Sequence, residues 1–140
     1  MPKRKSADPA VGTKITQSEW EVMQILWDAD APLPAAEVAA ALEGKAKWKP
    51  KTVRTFLHRL VQKKAVQTVK FGLLLHYLPL IDRTAALQAK QETFVGRFFG
   101  GTIQSMLAGC IQSGEIPIEE LKQLREMIDR QVNEQKGGKP

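Results

Sequence analysis

Residues 44–81 read GKAKWKPKTVRTFLHRLVQKKAVQTVKFGLLLHYLPLI, and the rest of the chain is best understood outward from this stretch. It holds nine Lys or Arg residues (Lys45, Lys47, Lys49, Lys51, Arg54, Arg59, Lys63, Lys64 and Lys70) and no Asp or Glu. A run of one sign repels itself and is ordinarily a solvated tail. Here, however, Val53, Phe56, Leu57 and Leu60 recur at i, i+3, i+4 and i+7, the period of a helix with one buried face. The stretch is therefore expected to fold and to present a basic surface. A polyanion is the natural partner, because cations on one face gain free energy by releasing the counterions condensed on phosphates.

Pro50 disfavours the α region for Lys49 and itself suits a first helical turn, which places Trp48 in an extended segment and starts a helix running to about Lys64. With the apolar stripe inward, Lys51, Thr52, Thr55 and Arg59 point out and Arg54 and His58 lie on the flanks. Short hydroxyls and long cations are the side chains that reach base edges and phosphates in a major groove. The expected nucleic-acid contacts are Lys49, Lys51, Thr52, Arg54, Thr55, His58 and Arg59 on this helix and Lys70 beyond it. Thr52 and Thr55 are assigned to base edges, Lys51 and Arg59 to phosphates. The competing reading is a solvated helix face. From Ala65 the period changes: Val66, Thr68, Val69 and Phe71, then Leu73 to Leu78, are β-prone runs parted at Gly72 and ended by Pro79, a two-stranded hairpin over 65–79.

Working back towards the amino terminus, Thr16 and Glu19 have capping-box spacing, and Ile15 and Trp20 occupy the hydrophobic-staple positions of a first helix. Trp20, Val22, Met23, Ile25, Leu26 and Trp27 give it a broad apolar face, and Asp28 to Pro34 end it in a turn. A short second helix over about 35–43 turns Val38 and Leu42 inward, with Gly44 expected to close it in a left-handed conformation. Residues 1–13 mix Lys, Arg, Ser, Asp, Pro and Gly without periodicity and read as a flexible basic arm. Three helices followed by a hairpin make a winged helix-turn-helix over 14–81, in a chain that is mainly α with a small β wing.

After Asp82 the pattern is helical again. Leu87, Phe94, Val95, Phe98 and Phe99 share one side, Gly100 and Gly101 interrupt, and Ile103, Met106, Leu107, Cys110 and Ile111 continue the apolar character; a last helix from Ile118 to about Asn133 carries Leu121, Leu124 and Ile128. These faces exceed what a winged helix needs for its own core. They are expected to be buried against a second copy, making 82–134 a helical dimerisation domain and 135–140 a tail. The alternative is that they fold back as extra core.

Composition narrows the function classes. The chain of 140 residues suits one domain, or a small domain with an appended assembly element. Of its net charge of +6, residues 1–64 carry 12 basic and 7 acidic side chains, net +5, and residues 65–140 carry 9 and 8, net +1. The amino-terminal half should meet the polyanion. A single cysteine, Cys110, allows no internal disulfide and suits a reducing compartment. No apolar segment follows the basic start as in a secretory signal, and no run approaches a membrane span, so a cytoplasmic protein is expected. Catalysis is not expected: the only histidines, His58 and His76, lie on the basic helix and the hairpin, and no phosphate-binding glycine loop or metal motif occurs. No cofactor and no metal are anticipated. The main competitor to sequence-specific DNA binding is a winged-helix protein-interaction module.

The residues also resemble a known family, the penicillinase and methicillin-resistance repressors of bacteria, with the related copper-responsive repressors. The matching pieces are Ile15-Thr16-Gln17-Ser18-Glu19-Trp20-Glu21-Val22-Met23, Ile25-Leu26-Trp27, Trp48-Lys49-Pro50-Lys51-Thr52-Val53-Arg54-Thr55, Arg59-Leu60-Val61, Tyr77 and Pro79, with weaker likeness at Phe99-Gly100-Gly101 and Glu119-Glu120-Leu121. The resemblance spans about residues 14–130. It implies dimeric repressors that bind palindromic, inverted-repeat operators in double-stranded DNA through the third helix and the wing. Three departures stand out. The wing carries Gly72-Leu73 where the family usually has Gly-Arg, removing a phosphate contact. Helix starts that tend to be Ser or Thr are Pro34, Lys49 and Pro117. Gly109-Cys110 stands where a regulatory protease cuts an Asn-Phe bond in antibiotic-responsive members, and one cysteine cannot supply the paired thiolates of the copper-responsive branch, so the inducer is unassigned.

Overall fold

The first helix begins where its side chains satisfy the orphan amides of the first turn. Thr16 Oγ1 accepts from the Glu19 backbone N–H at 3.2 Å, and Glu19 Oε1 accepts from the Thr16 N–H at 3.0 Å, closing the capping box. A computed structural model describes residues 8–137 of the chain. In it α1 spans Gln17–Asp28, β1 Leu33–Pro34, α2 Ala35–Leu42, α3 Pro50–Gln62, β2 Val66–Phe71, β3 Leu74–Pro79, α4 Arg83–Phe98, α5 Ile103–Gln112 and α6 Ile118–Gly137. The chain divides into two compact units, Met1–Thr93 and Phe94–Pro140.

In the first unit α1, α2 and α3 pack around Ile15, Val22, Met23, Leu26, Val38, Leu42, Val53, Leu57 and Leu60, with Val66 and Ile81 joining from the sheet and its exit. This is the winged-helix arrangement: three helices, then an antiparallel hairpin in which Val66 faces Pro79 and Phe71 faces Leu74. The hairpin turns through two residues. Gly72 has φ +64° and Leu73 follows it, the order that a type II′ turn requires.

Four features differ from the sequence expectation. Leu33–Pro34 is an edge strand and not only a turn: β1 pairs antiparallel with β3, Leu33 with Tyr77 and Pro34 with His76, so the sheet has three strands in the order β1-β3-β2. Pro34 is admissible there because an edge strand has one unpaired side, where the missing N–H costs nothing. The expected arm over 1–13 falls partly outside the described residues, and where it is described it is ordered. Pro9–Lys14 is a 3-10 helix capped by Asp8, with Val11 buried. Gly12 lies so close to α4 that a Cβ there would meet Ala86 Cα at 2.9 Å and Ala89 Cβ at 3.0 Å. Val11 and Ile15 supply the apolar area that composition alone concealed, and the small Ala86 and Ala89 let the backbones approach. For the same reason the first unit extends past residue 81, into α4 as far as Thr93. Third, Gly44 does not take a positive φ. The left-handed residue lies after α3 instead, at Lys64, with φ +67°. Finally, α6 continues to Gly137, into the expected tail, because Glu134, Gln135 and Lys136 are good helix formers and no breaker precedes the glycines.

The second unit holds the end of α4, a turn through Gly100 and Gly101, both with positive φ, and the pair α5 and α6. Between α5 and α6 runs an apolar groove lined by Leu107, Ile111, Leu121, Leu124, Met127, Ile128 and Val132.

Candidate nucleic-acid interface

The surface of α3 follows from its buried stripe. Val53, Leu57 and Leu60 are each 0% exposed, which fixes the rotation of the helix and leaves Lys51, Arg54, Thr55, His58 and Arg59 in solvent, with Thr52 half-buried at the edge. Trp48 packs edge-on against Phe56 with ring centroids 5.0 Å apart, holding the extended residues before Pro50 against the helix and leaving Lys49 exposed beside its amino terminus. Lys49 caps α3 without a side-chain hydrogen bond, and no acidic residue occupies the first turn. The positive end of the helix dipole thus meets neither a side-chain cap nor an acidic residue in the first turn, an arrangement suited to an anion.

Thr55 Oγ1 donates to the Lys51 carbonyl at 3.1 Å. Its hydroxyl proton is thereby committed to the helix, so outward it offers an acceptor lone pair and a methyl group. These suit an exocyclic amine of adenine or cytosine, or a thymine methyl.

The expected residues are therefore gathered on one exposed face of α3, and Lys70 is exposed on β2 opposite Leu75. Lys45, Lys47 and Lys64 are exposed cations of the same segment outside the expected set. One member of the nine has a different task. Lys63, just past the end of α3, donates to Glu19 Oε1 at 2.5 Å and to the Lys14 carbonyl at 2.8 Å. Glu19 is 1% exposed, so Lys63 serves as its counter-charge and ties the end of the basic helix to the head of α1. Lys90 on α4 donates to the Ile15 carbonyl beside them. Its pKa is lowered, first by burial and then by the Lys63 ammonium, against an opposing pull from Glu19. The segment from the wing into α4 is tied to α1 as well: Trp27 Nε1 donates to the Ile81 carbonyl at 2.9 Å, and Arg83 lies over Trp27 while pairing with Asp28 at 2.6 Å. None of these roles is readable from helical spacing, since each joins residues more than forty positions apart.

Of the expected dimerisation residues, Leu87, Phe94, Phe98, Ile103, Leu107 and Ile128 are exposed; Phe99, Met106, Leu121 and Leu124 are half-buried; and Val95 is buried within the chain. Leu87 belongs to the first unit and the others to the second. Met127 and Val132, outside the expected set, line the same groove as Leu124 and Ile128 and continue the helical spacing. Among the described residues no group of three His, Cys, Asp or Glu side chains is placed to hold a metal ion, and no helix is long and apolar enough to cross a membrane.

The family model described as penicillinase repressor matches residues 15–130. The chain belongs to that family. It is a family of transcriptional repressors and not of enzymes. The penicillinase repressor of Bacillus licheniformis is 31% identical over 123 residues, covering 88% of this chain and 95% of that protein. The methicillin resistance regulatory protein MecI of Staphylococcus aureus strain N315 is 23% identical over 117 residues, covering 84% of this chain and 94% of that protein. Among solved structures, the solution structure of the Bacillus licheniformis BlaI monomeric form in complex with the blaP half-operator is 35% identical, with a TM-score of 0.45 over 51% of this chain and 85% of that chain.

Proposed function

We propose that this family member is a dimeric transcriptional repressor acting in the cytoplasm, which lays α3 in the major groove of each half of an inverted-repeat DNA operator. The observation that carries the reading is the rotation of α3. A fully buried apolar stripe leaves a face of Lys51, Thr52, Arg54, Thr55, His58 and Arg59 with no acidic residue among them. Thr52 and Thr55 sit near base edges; Lys49, Lys51 and Arg59 sit near phosphates, and Lys70 adds a phosphate contact from the wing. A second copy covers the groove between α5 and α6, and two-fold symmetry then sets the recognition helices about one helical turn apart, ~34 Å, or a multiple of that. Linking two half-site contacts raises affinity without a new contact. No Asn-Phe pair occurs anywhere in the sequence, so induction by cleavage of such a bond does not apply to this chain.

Selection of bound duplexes from a random-sequence library by the full-length protein, followed by footprinting, tests the proposal and should return an inverted repeat. Thr52→Ala and Thr55→Ala should each cost roughly 1–3 kcal/mol on that duplex and relax preference at one position, whereas Lys51→Ala should weaken all sequences alike and reduce the salt slope by about one phosphate. If only single half-sites or unrelated sequences are recovered, or if the threonine variants keep full affinity and preference, the proposal fails.

A further inference from the structure

The tip of the wing is apolar. Leu73 is 95% exposed, and Phe71, Leu74 and Leu75 around it are all exposed. The hairpin register explains how they differ. Phe71 and Leu74 are partners on one face, where Phe71 also packs edge-on against His76 with centroids 4.8 Å apart, while Leu75 is paired with the exposed Lys70 on the other. Leu73 alone stands beyond the last strand pair, held by a two-residue turn whose Gly72 has the positive φ that the turn demands. The result is a tight-turned β finger. Six residues per strand at ~3.3 Å each make it ~20 Å long, ending in one branched apolar side chain.

We propose that Leu73 is an apolar wedge which the wing inserts into the minor groove flanking the α3 site, partly unstacking a base step and bending the DNA. The inference rests on the DNA-binding reading above. Two observations favour DNA over a protein as the occupant. The tip lies in the 38-residue segment 44–81, which contains no Asp or Glu and whose wing carries Lys70, so its surroundings complement a polyanion. It also offers only four apolar side chains, far short of the roughly 20–30 residues a side of a stable protein interface. A minor-groove wedge needs no more than one or two side chains, and a groove ~6 Å wide admits a leucine but no helix. Without a cation at its apex, the wing contributes by shape and deformation instead of by charge at its tip. Sequence preference at the wing should then follow step flexibility, with pyrimidine–purine steps favoured.

The test uses full-length protein and a duplex that it selects from a random library, with affinity read across salt concentrations and bend angle read by energy transfer between end labels. The native chain should bend the duplex by at least ~20°. Leu73→Ala should bind about 10-fold more weakly or worse, lose the bend and keep the salt slope, because the lost contact is apolar. Leu73→Arg should steepen the slope by about 0.9 and leave the duplex unbent. Leu73 is so exposed that neither variant should unfold, and an unchanged urea midpoint verifies this. If Leu73→Ala binds within twofold of the native chain with the same bend while Thr52→Ala is impaired, the wedge is refuted and the α3 reading stands. If the native chain selects no duplex, both fall. A change in the sedimentation of free Leu73→Ala protein would make the tip a contact between copies and refute the wedge.

Discussion

Glu19→Gln and Glu19→Ala together separate the two tasks of one buried carboxylate. In the native chain Glu19 Oε1 receives both the Thr16 N–H at 3.0 Å and the Lys63 ammonium at 2.5 Å. A glutamine carbonyl oxygen can occupy the same point and accept both bonds, so Glu19→Gln removes the charge and leaves the capping box. The difference between a charge-assisted and a neutral hydrogen bond is about 1 kcal/mol, and little is added for a stranded cation because the Lys63 side chain is 27% exposed and can turn to water. Glu19→Gln should therefore cost about 1–2 kcal/mol. Glu19→Ala also removes the reciprocal half of the capping box, the bond from the Thr16 N–H, worth ~1 kcal/mol, while the Thr16 hydroxyl still caps the backbone N–H of residue 19, and it leaves a small void, for a total of about 2–4 kcal/mol. Urea unfolding followed by tryptophan fluorescence is a selective assay, since Trp20, Trp27 and Trp48 all lie in the first unit. Protein concentration must be held constant, because assembly through the second unit would shift the midpoint by mass action. The expected order of stability is native, then Gln, then Ala. A Gln midpoint equal to the native one would mean that the charge contributes nothing, equal midpoints for the two variants would mean that the bond to the Thr16 N–H contributes nothing beyond the charge, and native-like midpoints for both would refute the linkage between α1 and the end of α3.

Three further outcomes follow from the same structure. Lys64 holds φ +67° without being glycine, so Lys64→Gly should raise stability by roughly 0.5–1 kcal/mol in the same assay; a loss would show that its side chain makes a compensating contact. In the proposed dimer, Ile128→Asp on the exposed lip of the α5–α6 groove should raise the dissociation constant at least ~100-fold by sedimentation equilibrium, since each of two symmetric copies would forfeit about 1.5–3 kcal/mol of apolar burial, and an unchanged constant, or a native chain that is monomeric, would refute assembly through this groove. Lys90 has a lowered folded pKa, so in the window between that value and 10.5 the unfolded chain binds more protons and stability rises with pH. Relative to Lys90→Met, the native chain should gain stability as pH climbs through that window, and a difference independent of pH up to 10.5 would contradict the burial of the ammonium.

The parts legible without coordinates were those whose cause lies within a few residues. The head of α1 is set by Thr16 and Glu19 three positions apart, and the rotation of α3 by a stripe with a period of one helical turn, so both the first helix and the outward set from Lys51 to Arg59 could be read directly. The hairpin was legible for a similar reason, because two β-prone runs flank one glycine. Other features have no local signature. A two-residue strand such as Leu33–Pro34 has no period and exists because β3 offers an edge to it; the close approach of Gly12 to α4 requires the small Ala86 and Ala89; and Lys63 looks like one more cation until Glu19, forty-four positions away, is seen to need it. Exposure of the apolar side chains of α5 and α6 was likewise a tertiary fact. Sequence alone determined the elements and the face that α3 presents, through spacing and capping, whereas the third strand, the ordered start, the extent of the first unit and the separation of structural from free cations were decided by contacts between distant residues, which local periodicity does not encode.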